Sequence, residues 1–345
     1  SRTPNRYLGR LRERTFETAF LEYGAMQNLV RSTGRRVWYL NDPIEDDPKH
    51  DWEDYRTNWE STMVASLLQP EVWRFEVAPW PERVFQGRYP AGSPDPQPIP
   101  PPYAAEIQVV SHALNDMEQD RWEWDCGTPG VGVLVSDSLM FQRGDPTPSD
   151  PHLSHVYGMA LPLLKRGLPV TPVQLENVAL RGYLRPFQVL WLSYHGMKPL
   201  SPDVHPALAR WVRAGGVLLV CDDDSDPYAA VREWWNSDGL SHATPRQHLF
   251  DALGLTETGW EASSLRKVGK GAVGWLRQTP ASLATGAEGD ARVADWTRRA
   301  ARHAGLAWKE TRHLLLRRGP YVVAAGLDES PAAGSLRLAG PLVNL

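Results

Sequence analysis

Residues 189–224, VLWLSYHGMKPLSPDVHPALARWVRAGGVLLVCDDD, decide the fold. Two short apolar runs, within Phe187 to Ser193 and Val217 to Val220, are too brief for helices and carry the β-branched and aromatic residues of strands buried on both faces. Between them Ser201-Pro202 supplies an N-cap and a first-turn proline, the helix runs to Ala214, and Gly215-Gly216 stops it. Strand, helix, strand with short connections predicts a right-handed crossover and two parallel neighbours in one sheet.

Outward from this unit the same rhythm continues. A helix over Ala104 to Asp120 precedes the strand Val131 to Val135, a helix from about His152 to Arg166 ends at Gly167, and Val170 to Val173 is a further strand. On the other side Gly269-Lys270-Gly271 introduces the strand Ala272 to Leu276, and Asp290 to Ala304 is a helix ending at Gly305. Residues 103–305 are therefore expected to form a doubly wound α/β domain with a parallel, flavodoxin-like sheet, its ligand crevice at the carboxyl ends of the strands.

Upstream, apolar residues at helical spacing mark Arg12 to Thr33 and Asp51 to Gln69, each followed by a strand, Val37 to Leu40 and Val72 to Val77. Residues 1–88 thus carry the helix–strand rhythm of an α/β layered or barrel fold. The stretch YPAGSPDPQPIPPP, residues 89–102, can propagate neither a helix nor a central strand and predicts a semi-rigid linker. Residues 306–345 alternate apolar and polar positions between turn residues, as the opening strands of an all-β module would. The chain starts at Ser1 and stops within a predicted strand, so it is expected to be a piece of a larger polypeptide whose compartment the sequence leaves open.

Composition narrows the partners. Thirty-seven basic against 41 acidic residues give a net charge of -4 over 345 residues, without the basic footprint that nucleic acid requires. No apolar run reaches the roughly 18 residues of a membrane span. Two cysteines, Cys126 and Cys221, make neither a disulfide framework nor a metal-binding pair. Fifteen tryptophans are unusual, since indole requires both burial and a hydrogen-bond acceptor. Most are assigned to the core. Trp80, Trp234 and Trp235, at loop and strand ends, are candidates for stacking on sugar rings.

Asp42, Glu45, Asp46 and Asp47 follow one strand and Glu76 lies on the next, the position from which barrel enzymes present catalytic carboxylates. Asp42, Glu45 and Glu76 are accordingly the candidate acid and nucleophile or base for glycoside hydrolysis. In the second block Asp222, Asp223 and Asp224 at a strand end are candidates for sugar hydroxyls or, weakly, a Ca²⁺ ion, although the spacing is not that of an EF-hand. Asp226 before Pro227 is a candidate N-cap. His195 ends a strand at the same edge and is a candidate substrate contact. His152, His155, His205 and His248 share no metal-ligand spacing. Cys221 stands where a nucleophile elbow would expose a thiol, but three aspartates follow it.

The strand, helix and glycine order of VGVLVSDSLMF, HVYGMALPLLKRGLPVTPVQLENV, residues 189–224 and VGKGAVGWL resembles the class I glutamine amidotransferase-like domain that follows the barrel in bacterial glycoside hydrolases, nearest to the trimerisation domain of family 42 beta-galactosidases. The preceding ASLLQPEVWRFEVAPWPERVF looks like the closing β/α units of such a barrel, which makes residues 1–88 its C-terminal part, and residues 306–345 look like the start of its C-terminal β-sandwich. The resemblance implies a carbohydrate substrate, a homo-oligomer and no cofactor. Amidotransferases bracket their cysteine with glycines and carry a late His-Glu pair; neither is present, so the domain is expected to lack that activity. Two other functions fit the residues: a non-catalytic carbohydrate-binding or oligomerisation module, and a thiol-dependent hydrolase using Cys221.

Overall fold

A computed structural model describes residues 4–45, 47–72, 74–117, 121–139, 154–260, 264–340 and 342–344. Asp46 and His152 lie outside the described residues. The chain opens with a hairpin, β1 (Pro4–Tyr7) and β2 (Arg10–Glu13), then α1 (Thr15–Val30), β3 (Trp38–Asn41), α2 (Trp52–Leu67), β4 (Arg74–Val77) and the short α3 (Pro81–Phe85). A second hairpin, β5 (Arg88–Tyr89) and β6 (Gln97–Pro98), leads to α4 (Pro101–Asp116), β7 (Trp122–Trp124) and β8 (Val131–Val135). There follow α5 (Ser154–Leu164), β9 (Thr171–Gln174), β10 (Val189–Leu192), α6 (Val204–Ala214), β11 (Val217–Cys221), α7 (Pro245–Leu253), β12 (Leu265–Val268) and β13 (Gly271–Leu276). Helices α8 (Pro280–Thr285) and α9 (Gly289–His303) and the hairpin β14 (His313–Arg318) and β15 (Tyr321–Gly326) complete the order.

The protein is mixed α/β. Its main sheet has six strands in the order β12-β13-β11-β10-β8-β9. All pairings are parallel except that of β12 with β13. Counting parallel strands along the chain, the order is 2-1-3-4-5, the flavodoxin-like doubly wound arrangement, with its switch point between β8 and β10. The apolar runs of β10 and β11 are buried throughout, as strands covered on both faces must be. Their side chains divide by the two-residue period. Val189, Trp191, Val217, Leu219 and Cys221 enter one core with residues of α5 and α9, whereas Leu190, Leu192, Leu218 and Val220 enter another with residues of α6 and α7. Helix α6 starts at Val204 rather than at Pro202, because Ser201 Oγ accepts the N–H of Asp203 in a preceding turn, and it stops at Gly215 with φ +132°.

Helices α5 and α8 meet at Gly158, where an added Cβ would stand 1.9 Å from the carbonyl oxygen of Pro280. Backbone cannot yield there as a side-chain tip could. Gly158→Ala is expected to lower unfolding free energy by about 2–3 kcal/mol, read as a shift in the urea midpoint without a change in slope.

Two stretches are joined to distant parts of the chain. Residues 89–102 are not an extended spacer: Gln97 O accepts the indole N–H of Trp52 at 2.7 Å, the N–H of Ala91 donates to Pro48 O, and Tyr89 packs edge-on against Trp52 and Tyr55. Aromatic burial outweighs proline stiffness here. The β14–β15 hairpin joins a three-stranded antiparallel sheet, β15-β14-β7, whose third strand comes from the start of the second block.

Strands β3 and β4 pair in parallel, Trp38 opposite Arg74 and Leu40 opposite Glu76. Tyr39 faces α1, its hydroxyl donating to Tyr23 O at 2.6 Å, and is buried. Trp38 and Leu40, on the other face, are 63% and 48% exposed. Among the described residues no helix is long and apolar enough to cross a membrane.

Candidate functional site

Two strand-end edges carry the candidate residues. At the first, Asp42 continues the two-residue period of Leu40 just beyond β3, and Glu76 lies beside Leu40 on β4. Asp42 Oδ1 accepts the N–H of Ile44, and its Oδ2 stands 3.8 Å from the guanidinium of Arg83. That same guanidinium donates to Glu45 O at 3.2 Å and lies 5.5 Å from the ring centre of Trp80, which is half exposed. Arg83 thus ties one carboxylate, one loop carbonyl and one indole face into a single patch. The Glu45 carboxylate turns toward His50, 3.9 Å away. Glu76 is partly buried, and among the described residues its carboxylate has no hydrogen-bond or ion-pair partner.

At the second edge the three aspartates separate. Asp222 is buried and accepts the N–H groups of Tyr194 at 3.0 Å and Asp224 at 2.8 Å; burial pushes its carboxyl up from the usual range. Asp223 is exposed and closes a local turn with Ser225. Asp224, at φ +61°, pairs with the buried guanidinium of Arg246, which is stacked 4.0 Å from the ring centre of Trp275. Each aspartate therefore has its own local partner. Among the described residues no group of three or more His, Cys, Asp or Glu side chains converges as a metal site would require.

Asp226 caps the turn after β11 as expected, accepting the N–H of Tyr228 at 2.9 Å. It also accepts the N–H of Gly196 at 2.7 Å and the buried ammonium of Lys198 at 2.6 Å. Burial pushes its carboxyl up, but the bonds from Lys198 and Gly196 outweigh this and hold it below the usual range. Burial likewise lowers Lys198, with Asp226 opposing. A carboxyl depressed in the fold stabilises fully above its unfolded value of about 3.9 and loses that contribution as pH falls through the lower folded value. Asp226→Asn is expected to cost about 1–3 kcal/mol at pH 7. In urea titrations the difference from the parent should shrink below about pH 3.9.

At the switch point Ser136 Oγ lies 2.6 Å from Glu176, and Gln174 donates to Asp137 at 2.8 Å and also to Glu176. Ser138 Oγ accepts the N–H of Lys198 at 2.6 Å. His195 is half-buried, its Nδ1 3.2 Å from Nδ1 of His155 at the start of α5. Glu176, Gln174, Asp137 and Lys198 went unnoticed in the sequence, and His155 was weighed there only as a metal ligand; only their shared place at strand ends could have grouped them. A cavity of about 560 Å³ lies at the opposite, amino-terminal end of the sheet, lined by Leu180, Phe187, Arg210 and Trp211.

Trp235 is enclosed, its indole N–H on Ala229 O, and Trp234 is partly buried with its N–H on Pro199 O. Both lie in a 3-10 turn, Trp234–Asn236. Trp80 alone of the three offers an open ring.

Cys221 is wholly buried, its thiol donating to Gln278 O at 3.1 Å; burial pushes it far above the ordinary thiol range, and Asp222 and Asp223 push it further. Burial likewise raises Cys126 to about 11. Neither is a thiolate at neutral pH. In native protein at pH 8 both are expected to resist a disulfide-exchange reagent, and both should react at once in denaturant.

No protein-family model matches this chain, and a search of the curated proteins gives no match.

Proposed function

We propose that this protein is carbohydrate-active: residues 1–88 act as the closing β/α units of a glycosidase barrel, and the flavodoxin-like sheet is an amidotransferase-like domain without amidotransferase chemistry. The observation that carries this is the one-sided cover of β3 and β4. Parallel strands are ordinarily covered on both faces. Here helices cover one face, while the other presents Trp38, Leu40 and Glu76, leads to Asp42, and has the half-exposed Trp80 near its carboxyl edge. That is the asymmetry of strands whose open face turns toward a barrel interior, with carboxylates at the catalytic end.

In this reading Glu76 is one of the two carboxylates of glycoside hydrolysis and Asp42 or Glu45 the other. One protonates the leaving oxygen, and the other attacks the anomeric carbon or activates water. Trp80 stacks on the sugar ring. The buried, raised Cys221 supports a sheet domain that shapes or assembles the enzyme rather than one that uses a thiol.

The test is hydrolysis of a panel of aryl glycosides and oligosaccharides by the intact protein, with calorimetric titration of the same oligosaccharides. Turnover that Trp80→Ala weakens chiefly through KM supports the proposal. Saturable binding without turnover would make the protein a carbohydrate-binding module. Absence of both would remove the carbohydrate assignment.

A further inference from the structure

Behind the second edge, four aromatic residues separated in sequence form one line. Tyr194, just past β10, has its hydroxyl 2.6 Å from Nε2 of the fully buried His205 on α6. The other nitrogen of His205 lies 2.7 Å from Nδ1 of His248 on α7. The ring of His242 stands perpendicular to that of His248 at 5.1 Å, with its Nε2 2.8 Å from Asp251. Trp234 closes the cluster, its ring centre 5.6 Å from His205 and 5.1 Å from His248. Trp234 and His242 belong to residues 227–243, the segment that leaves the carboxyl edge of β11 and crosses α6 and α7.

Each nitrogen-to-nitrogen contact accommodates one proton, one ring donating and the other accepting. With both rings neutral, the line from Tyr194 through His205 to His248 is satisfied. Only when both rings are protonated do two Nδ1–H donors stand face to face, beside the fully buried His205. We propose that this line is an acid-sensitive latch: protonation of the His205–His248 pair releases residues 227–243 from α6 and α7.

The surrounding groups set the sign. Burial, then His248 and His242, hold His205 well below the ordinary histidine range; burial and His242 lower His248, with Asp251 opposing. Asp222 faces Tyr194 from β11 through its backbone N–H, and Glu176 faces it from the connection after β9. Tyr194 is raised by burial and keeps its proton. Arg246 of α7 is already occupied by Asp224 and Glu257. Histidines depressed in the closed form stabilise it fully above their free value of about 6.5. The stabilisation falls as pH drops below that value, about tenfold in the opening constant per pH unit for each proton excluded.

Hydrogen exchange on the intact protein between pH 7.5 and 5, corrected for intrinsic rate, tests this. The opening constant of residues 227–243 is expected to rise at least tenfold per pH unit below about 6.5, while the amides of β13 and β14 stay protected. His248→Gln, which keeps a hydrogen-bonding group without the titration, should flatten that slope. A pH-independent opening constant, an unchanged slope in His248→Gln, or a parallel rise in β13 and β14 would each overturn the latch.

Discussion

Arg318→Met is expected to lower unfolding free energy by about 3–5 kcal/mol, the largest stability effect of any single change considered. Arg318 is fully buried on β14, and its guanidinium donates to Leu67 O at 3.1 Å and also to Gln69 O. Those carbonyls close the carboxyl end of α2, where a helix leaves acceptors without intrahelical partners and where a cation is favoured. Burial pulls the guanidinium down to about 10, against a small opposing contribution from Tyr39, so it remains charged at neutral pH. Methionine fills the volume but donates nothing, leaving two buried acceptors unpaired. Denaturant titration followed by far-ultraviolet dichroism would measure the loss, and Arg318→Lys should recover only part of it, since an ammonium cannot span both carbonyls with a planar fork. A cost under about 1 kcal/mol for the methionine variant would show that water replaces the guanidinium.

On the proposed function, Glu76→Gln is expected to reduce glycoside hydrolysis by about 10²–10⁴-fold in kcat with KM little changed, the loss that follows removal of an acid–base or nucleophilic group. Glutamine keeps the size and hydrogen-bonding outline of the side chain, and no partner among the described residues depends on the charge. Stability should therefore stay within about 0.5 kcal/mol of the parent. Activity lost without stability separates a reacting carboxylate from a structural one. Asp42→Asn is a harder comparison, because the Arg83 contact that orders Glu45 and Trp80 is weakened at the same time. If Glu76→Gln hydrolyses substrate as well as the parent, the reacting carboxylates lie elsewhere.

The apolar runs of β10 and β11 and the glycines after α6 state the parallel sheet in local terms, because period and punctuation are short-range properties. The proline-rich segment misleads for the opposite reason. Its conformation is set by Trp52 and Tyr55, far upstream, whose rings offer more to bury against than proline stiffness can resist. Trp234 is likewise placed by a distant acceptor, Pro199 O, and Trp235 by Ala229 O in the turn that Asp226 caps. Of the carboxylates, Asp42 and Glu76 could be placed at strand ends from sequence alone. That Asp222 and Asp224 would find different partners could not, since Tyr194 and Arg246 lie on either side in sequence, 28 and 22 positions away. Buried charges such as Arg246 and Arg318 have no local signature at all: an isolated Arg in an amphipathic run looks the same whether it meets water or a carbonyl.

The hairpin that ends the fold also bears on how the chain acquires its shape. Arg318 reaches carbonyls 251 and 249 positions earlier, and Arg14 meets Glu329 across 315 positions. Asn28 on α1 is bonded to Pro172 O, 144 positions on. Contacts of such long range make closure slow, because chain entropy is lost before the contacts form. During synthesis, α1 and α2 would emerge long before the strand that satisfies them and would wait with open carbonyls and apolar faces. A chain cut at residue 305, where composition suggests a boundary, would keep its six-stranded sheet but leave that waiting state without an end.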